Sequence, residues 1–243
     1  MILKIYTFWT GNNPVPIKRE ISIKDIQKNS GVEVCLFSDS DVIKIFSDMS
    51  FKVHPAYYHL NYAHRADYLR AFFMHNIGGG YCDIKSVNNS WVPFFEQLMN
   101  NPRLFGIGVK EVSRHGVGNL YQSSKYLTDQ NFKNFNAYIK WRCLQSFYKL
   151  AIGNGAFIFK PNTPITTAWW AELNNRLDQL SPMLKINPAK YPKERGGHVY
   201  DGVVSNYPVP WSYLLGDILG PLSVRFSMNM SRALPSPDFS NYQ

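Results

Sequence analysis

Residues 63–87 read AHRADYLRAFFMHNIGGGYCDIKSV, and the fold class turns on them. Ala66, Leu69, Phe72 and Phe73 recur at helical spacing, which predicts an amphipathic helix over Tyr62 to His75. Gly78, Gly79 and Gly80 end that helix and allow the chain to turn sharply or approach another group closely. Tyr81-Cys82-Asp83-Ile84 then has the composition of a short strand. Asp67 and Arg70, one turn apart, share a helix face, and Asp83 stands where the strand emerges. Two acids and a base are thereby expected around one glycine-lined cleft.

Working outward, strands and helices alternate. Ile2 to Phe8 and Val32 to Phe37 are rich in strand formers. Between them come a loop at 10–14 and a helix over Ile17 to Asn29, with Ile17, Ile21, Ile23 and Ile26 near helical spacing and Gly31 as its break. Short helices are predicted over Asp41 to Met49 and over Trp91 to Asn100, where Pro93 falls in the tolerated first turn. Leu104 to Val109 reads as a strand, Ser113 to Phe135 as a long polar loop, and Phe135 to Leu150 as helix. Strand Phe157 to Phe159 and helix Ile165 to Leu180 follow, then a Pro- and Gly-rich end with short elements at Tyr213 to Ile218 and Ser223 to Phe226. The expectation is an α/β fold with a mostly parallel central sheet flanked by helices. At 243 residues, without repeat or linker, it should form one domain.

The order Asp67, Arg70, Gly78-Gly79-Gly80-Tyr81, Asp83 resembles the D-x-x-R…G-G-x-Y-x-D-x-D segment of sugar-transferring enzymes. The chain is similar there to glycosyltransferase family 32, to capsular polysaccharide synthesis transferases and, more distantly, to the glucosylating domain of large clostridial toxins. The match is specific over about 25 residues and weaker elsewhere. It implies the GT-A nucleotide-sugar transferase fold, with 1–110 as the nucleotide-sugar-binding half and 111–243 shaping the acceptor site and the C-terminal closure. It implies that Asp83 contacts the donor, and that Asp67, Arg70, Gly79 and Gly80 surround it. The sequence departs from the pattern at the second acid, a metal ligand in the family, where Lys85 stands. Lysine cannot ligate Mg²⁺ or Mn²⁺, which take oxygen donors. Either Lys85 supplies the metal's charge against the diphosphate, or Asp83 with a distant acid still holds a metal and Lys85 turns away. Alternation along a strand would put Asp83 and Lys85 on one face.

Further candidates are scattered. By the same resemblance Phe8, Trp9 and Thr10, ending the first strand, contact the nucleotide base. Trp9 as a core residue is an equal alternative. Asn154, in Gly-Asn-Gly-Ala, is similar to a family segment behind the sugar, and an asparagine between glycines also suits a plain turn. The Gly220-Pro221 pair resembles a segment that closes over donor phosphates. His198 is placed to meet phosphate or move a proton, and Asp201 or Asp217 to serve as base if the reaction inverts configuration. His64 and Arg65 would extend the basic site.

The formal net charge of +9 favours anionic partners, among them diphosphates and an anionic membrane surface. There is no run of five or more Lys/Arg and no nucleic-acid-binding motif, so nucleic acid is not expected. Three widely spaced cysteines make neither a disulfide framework nor a zinc site and fit a reducing compartment. No signal peptide is visible, and the chain reads as cytoplasmic, at most peripheral to a membrane. The function expected is transfer of a sugar from a UDP- or GDP-linked donor to a glycan hydroxyl. The competing reading is a non-catalytic nucleotide-sugar or glycan binder of the same fold.

Overall fold

The computed structural model describes residues 2–11 and 13–238; Asn12, in the expected loop at 10–14, and 239–243, in the expected C-terminal third, lie outside it. β1 (Lys4–Trp9), α1 (Ile17–Ser30), β2 (Glu33–Ser38) and α2 (Asp39–Asp48) open the chain. α3 (Tyr62–Asn76), β3 (Gly79–Cys82), α4 (Val92–Asn100) and β4 (Gly106–Lys110) follow. Next come α5 (Leu120–Leu127), α6 (Asn131–Ser146), β5 (Ile152–Phe159) and α7 (Pro164–Ile186). A β6–β7 hairpin (Val199–Tyr200 and Val203–Val204), α8 (Gly216–Arg225) and β8 (Met230–Leu234) complete it. The main sheet runs β2-β1-β3-β5-β4-β8. Only β5 is antiparallel to its neighbours, so the α/β class and the mostly parallel sheet are as expected.

Alternation along the strands sorts the core into two layers. Phe8, Tyr81, Phe157 and Phe159 meet α2, α3, α7 and α8 on one face, while Ile5, Cys82, Ala156 and Ile158 meet α1 and α4 on the other. The strands come from both sides of position 110, because β5 and β8 pair with β3 and β4.

Local chemistry explains most boundaries. Ser38 closes a capping box with Asp41 at the start of α2, Asn61 caps α3, and Thr163 caps α7 ahead of Pro164. α1 ends on Gly31 in the left-handed conformation. The expected loop at 113–135 instead contains α5 and the start of α6. Tyr121 there packs edge-on to Tyr138 (5.3 Å) and stacks on Trp141 (6.4 Å), so tertiary contact between two helices overrides a polar, poorly periodic sequence. The strand expected over 81–84 begins at Gly79 and stops at Cys82.

The glycines before β3 serve packing. Gly78 (φ +71°) donates to the Phe73 carbonyl at 2.8 Å and closes α3. Gly79 has φ +116°, and a Cβ there would lie 2.9 Å from Tyr6 Cε2 and 3.0 Å from the Lys4 oxygen. A Cβ on Gly80 would press on Phe95, Ile5 and Trp91. Both glycines therefore sit inside the sheet and do not line a cleft, which corrects the expected glycine-lined donor site. Gly79→Ala adds a forbidden φ to a backbone clash and should destabilise the fold by roughly 2–4 kcal/mol. Urea unfolding should show a lower midpoint at unchanged slope; an unshifted midpoint would show that the β1–β3 contact has slack.

Candidate functional site

From β1 the chain leaves towards β2 on one side, and it returns to β3 on the other side. The carboxyl ends of β1 and β3 thus form a topological switch point, where open α/β sheets leave a crevice for ligands. Asp83 is the first residue past β3, and Trp9 is the last of β1.

Arg70 gathers the site. Its Nη2 donates to Asp83 Oδ1 at 3.0 Å, its Nη1 lies 3.3 Å from Asp67 Oδ1, and its guanidinium stands 4.3 Å above the Tyr81 ring. The Tyr81 hydroxyl donates to the same Asp83 oxygen at 2.6 Å. Arg70 Nε is buried with no acceptor. Burial works against the charge on Arg70, but Tyr81, Asp83 and Asp67 outweigh it and the group stays cationic. Asp67 is buried, and desolvation raises its carboxyl to about 7 although Arg70 pulls it down. Asp67, Arg70 and Asp83, named from the sequence, are brought together with Tyr81, whose part the sequence did not show.

Lys85 is placed differently. Its amide donates to the Asp83 carbonyl at 2.6 Å, a three-residue turn that ends the strand's alternation. Asp83 therefore faces α3, while Lys85 lines a second cavity of about 240 Å³ beside the first turn of α1, with Lys18, Arg19, Ser22, Ser86 and Asp238. The expected common face for the two residues is corrected. Burial and Arg19 lower the Lys85 pKa, and Asp83 partly restores it.

A cavity of about 420 Å³ opens beyond β5. Asn154 lines it, one residue from Gly155, whose carbonyl accepts the Asp83 amide at 2.7 Å. His198, Arg195 and Trp211 line it too, with Arg195 stacked 4.2 Å over the Trp211 ring. His64 holds this wall in place. The Trp211 carbonyl only accepts, so His64 Nε2 carries the proton (3.2 Å), and Nδ1 accepts from the Tyr207 hydroxyl (2.9 Å). Full burial lowers the His64 pKa to about 4, so it stays neutral. Trp211 and Arg195 lie in aperiodic, Pro- and Gly-rich sequence, and nothing in their local pattern marks them.

Other candidates fall elsewhere. The Phe8 ring is buried against Phe37, Phe73 and Tyr81, so it belongs to the core rather than to a base-binding surface. Thr10 is buried and donates to the Tyr62 carbonyl at 2.8 Å, anchoring the loop after β1 to α3. Trp9 is half-buried at the crevice, its Nε1 donating to the Asn13 carbonyl at 2.8 Å. Gly220 is inside α8 against Leu144 of α6, not in a segment closing over phosphates. Asp201 sits exposed on the β6–β7 turn, accepting from the Tyr191 hydroxyl at 2.6 Å, and is not part of the cavity wall. Asp217 is buried on α8, its carboxyl raised by desolvation. Arg65 pairs with Asp39 at 2.9 Å.

No protein-family model and no curated protein matches the sequence. A solved structure titled PaToxG Glycosyltransferase aligns over 99% of this chain and 82% of its own, at 12% identity and a TM-score of 0.42. A likeness of that degree carries no argument about activity, which rests on the residues themselves.

Two buried groups set opposing pH dependences. Between about pH 4 and 7 the folded state binds the extra proton on Asp67, so its contribution falls as pH rises. Between about pH 4 and 6.5 the unfolded state binds the extra proton on His64, so its contribution grows as pH rises. The slopes oppose in the wild type. Asp67→Asn should expose the His64 term, and its stability should rise with pH relative to wild type by up to about 1.4 kcal/mol per pH unit across that window. Urea unfolding at a series of pH values reads the difference. Parallel curves for the two proteins would overturn the burial account of Asp67.

Proposed function

We propose that this chain is a glycosyltransferase that moves a sugar from a nucleoside diphosphate sugar to a hydroxyl of a glycan acceptor. The observation that carries the reading is the Asp67–Arg70–Asp83 set on Tyr81 at the switch point between β1 and β3. Carboxylates beside a held guanidinium match a donor that presents hydroxyls and phosphate together. The same residues resemble the family 32 segment, which agrees with this reading. In the reaction, the bond from the anomeric carbon to the diphosphate oxygen breaks and a bond to the acceptor oxygen forms. The acceptor's proton leaves to a base or to the departing phosphate. Asp83, with Asp67 behind Arg70, would orient the sugar and stabilise positive charge at the anomeric centre. Asn154, His198 and the Trp211–Arg195 wall would shape the space beyond it for the acceptor. Trp9, at the end of β1, is the candidate platform for the base.

A divalent cation fits this site poorly. Asp83 Oδ1 already accepts from Arg70 and Tyr81, and among the described residues no group of three or more His, Cys, Asp or Glu could hold a metal. The diphosphate is instead assigned to the cavity beside the start of α1, lined by the three cations Lys85, Arg19 and Lys18 against one carboxylate, Asp238. Mn²⁺ or Mg²⁺ is therefore not required in this reading.

Asp83→Asn keeps the shape and the Tyr81 hydrogen bond but removes the charge. It should lower hydrolysis of the cognate UDP- or GDP-sugar by about 100-fold or more in protein that still folds, with a lowered melting temperature because Arg70 loses an ionic partner. Near-normal turnover in a folded Asp83→Asn protein would remove the site assignment. A wild type that binds the donor but never turns it over would favour the non-catalytic binder.

Lys85→Ala and Arg19→Ala should each weaken nucleoside diphosphate binding by about tenfold in EDTA, with nucleoside affinity unchanged. Calorimetry gives both affinities. Equal affinities in wild type and variants, or binding that appears only with Mn²⁺, would refute the cation pocket without touching the Asp83 assignment.

A further inference from the structure

Residues 112–171 hold seven basic side chains against one acidic, Asp129, and so carry +6 of the chain's +9. Within this segment α6 is oriented against the usual rule. Trp141 and Leu144 pack inward, the first against Tyr121 of α5 and the second in a small core with Val117 and Ala151. Phe132, Phe135, Ile139 and Cys143 follow one another at three- and four-residue spacing, share one face, and point to solvent. Phe132 is 74% exposed, Phe135 60% and Ile139 44%; Phe147, just beyond the helix, is 54% exposed. Scattered exposed apolar residues are ordinary, but a continuous aromatic stripe is not. Lys133 and Lys140 run along one border of the stripe and Arg142 along the other, and Lys149 follows just beyond the helix. No helix among the described residues is long and apolar enough to cross a membrane.

We propose that the exposed face of α6 is a docking surface for an anionic lipid bilayer, with Phe132, Phe135 and Ile139 entering the headgroup region and the flanking lysines and Arg142 meeting lipid phosphates and carboxylates. Charge complementarity selects this occupant. The rim is cationic on both borders, which would repel the same face of a second copy and favours a densely anionic sheet. Exposed aromatic tips beside lysines whose stems can lie over apolar surface suit a boundary where the apolar part enters and the charged head stays among headgroups. The inference stands apart from the sugar-transfer reading, since none of these residues belongs to the Asp67–Arg70–Asp83 site.

The test is co-sedimentation with vesicles of phosphatidylcholine alone and of phosphatidylcholine with phosphatidylserine, at low and high salt. Wild type should bind only the second kind, and less at high salt. F132S/F135S, which keeps the charge, and K133E/K140E, which keeps the aromatics, should each lower partitioning by about tenfold or more with unchanged melting temperature. Wild type that fails to bind phosphatidylserine vesicles overturns the proposal, as it would if an acidic protein were the partner. Binding that both variants retain also overturns it. So does concentration-dependent dimerisation by sedimentation velocity, abolished by F132S/F135S, which would make the face an interface between copies.

Discussion

A half-buried arginine ties a helix to the end of a central strand. Arg70 is taken out of water at a cost of several kcal/mol, and that cost is offset only because Asp83, Asp67 and the Tyr81 ring surround it. The contacts come from two elements, α3 and the end of β3, so the guanidinium locks a helix to a strand at the position where the strand stops. Thr10 adds a third tie from the loop after β1 to the first turn of α3. The carboxyl end of β3 is thus fixed against α3 by one ionic cluster. The cluster is also unevenly satisfied, with two donors on one Asp83 oxygen and an Arg70 Nε–H without acceptor. Buried polar networks left partly open cost stability and are kept where an incoming ligand completes them.

The turn after Asp83 divides the electrostatics. Had the strand continued, Lys85 would lie beside Asp83 and neutralise it. The short turn sends the lysine under the first turn of α1, next to Arg19, whose own guanidinium is held by the Ile84 carbonyl at 2.6 Å. The result is a carboxylate-lined position and a cation-lined position separated by two residues of chain. That is the charge distribution a sugar joined to a diphosphate carries, with hydroxyls at one end and negative charge at the other.

The sequence made some of this legible and hid the rest for identifiable reasons. α3 was readable because Ala66, Leu69, Phe72 and Phe73 repeat at helical spacing and Gly78 stops them, and the Asp67–Arg70 pair followed from that helix alone. Asp83 was readable as the residue at a strand's end. Lys85 was not, because a strand's period says nothing about where the strand ends, and the bond from the Lys85 amide to the Asp83 carbonyl is visible only in three dimensions. Gly79 and Gly80 looked like cleft residues because glycine marks close approach, but the approaching groups are Tyr6, Trp91 and Phe95. α5 and the start of α6 were hidden by their polarity, since they are held by packing between Tyr121, Tyr138 and Trp141 rather than by propensity. Trp211 and Arg195 were hidden because a wall built from loops leaves no period to read.

The net charge acquires a location only in the folded chain. As a total, +9 says that the protein favours anions without saying which ones. Folding separates it into two patches of different character. The cavity beneath α1 is small; Lys85 is buried there and Arg19 is held by the Ile84 carbonyl, while Lys18 is exposed and Asp238 adds a carboxylate to the wall. The α6 face is open, with cations along the borders of an apolar stripe, two of which, Lys133 and Lys140, also line a cavity of about 520 Å³. Its long flexible side chains suit a surface that presents many charges at once. The two patches thus differ in kind, and the difference comes from burial: buried cations are little screened, whereas exposed ones act by number and are screened by salt.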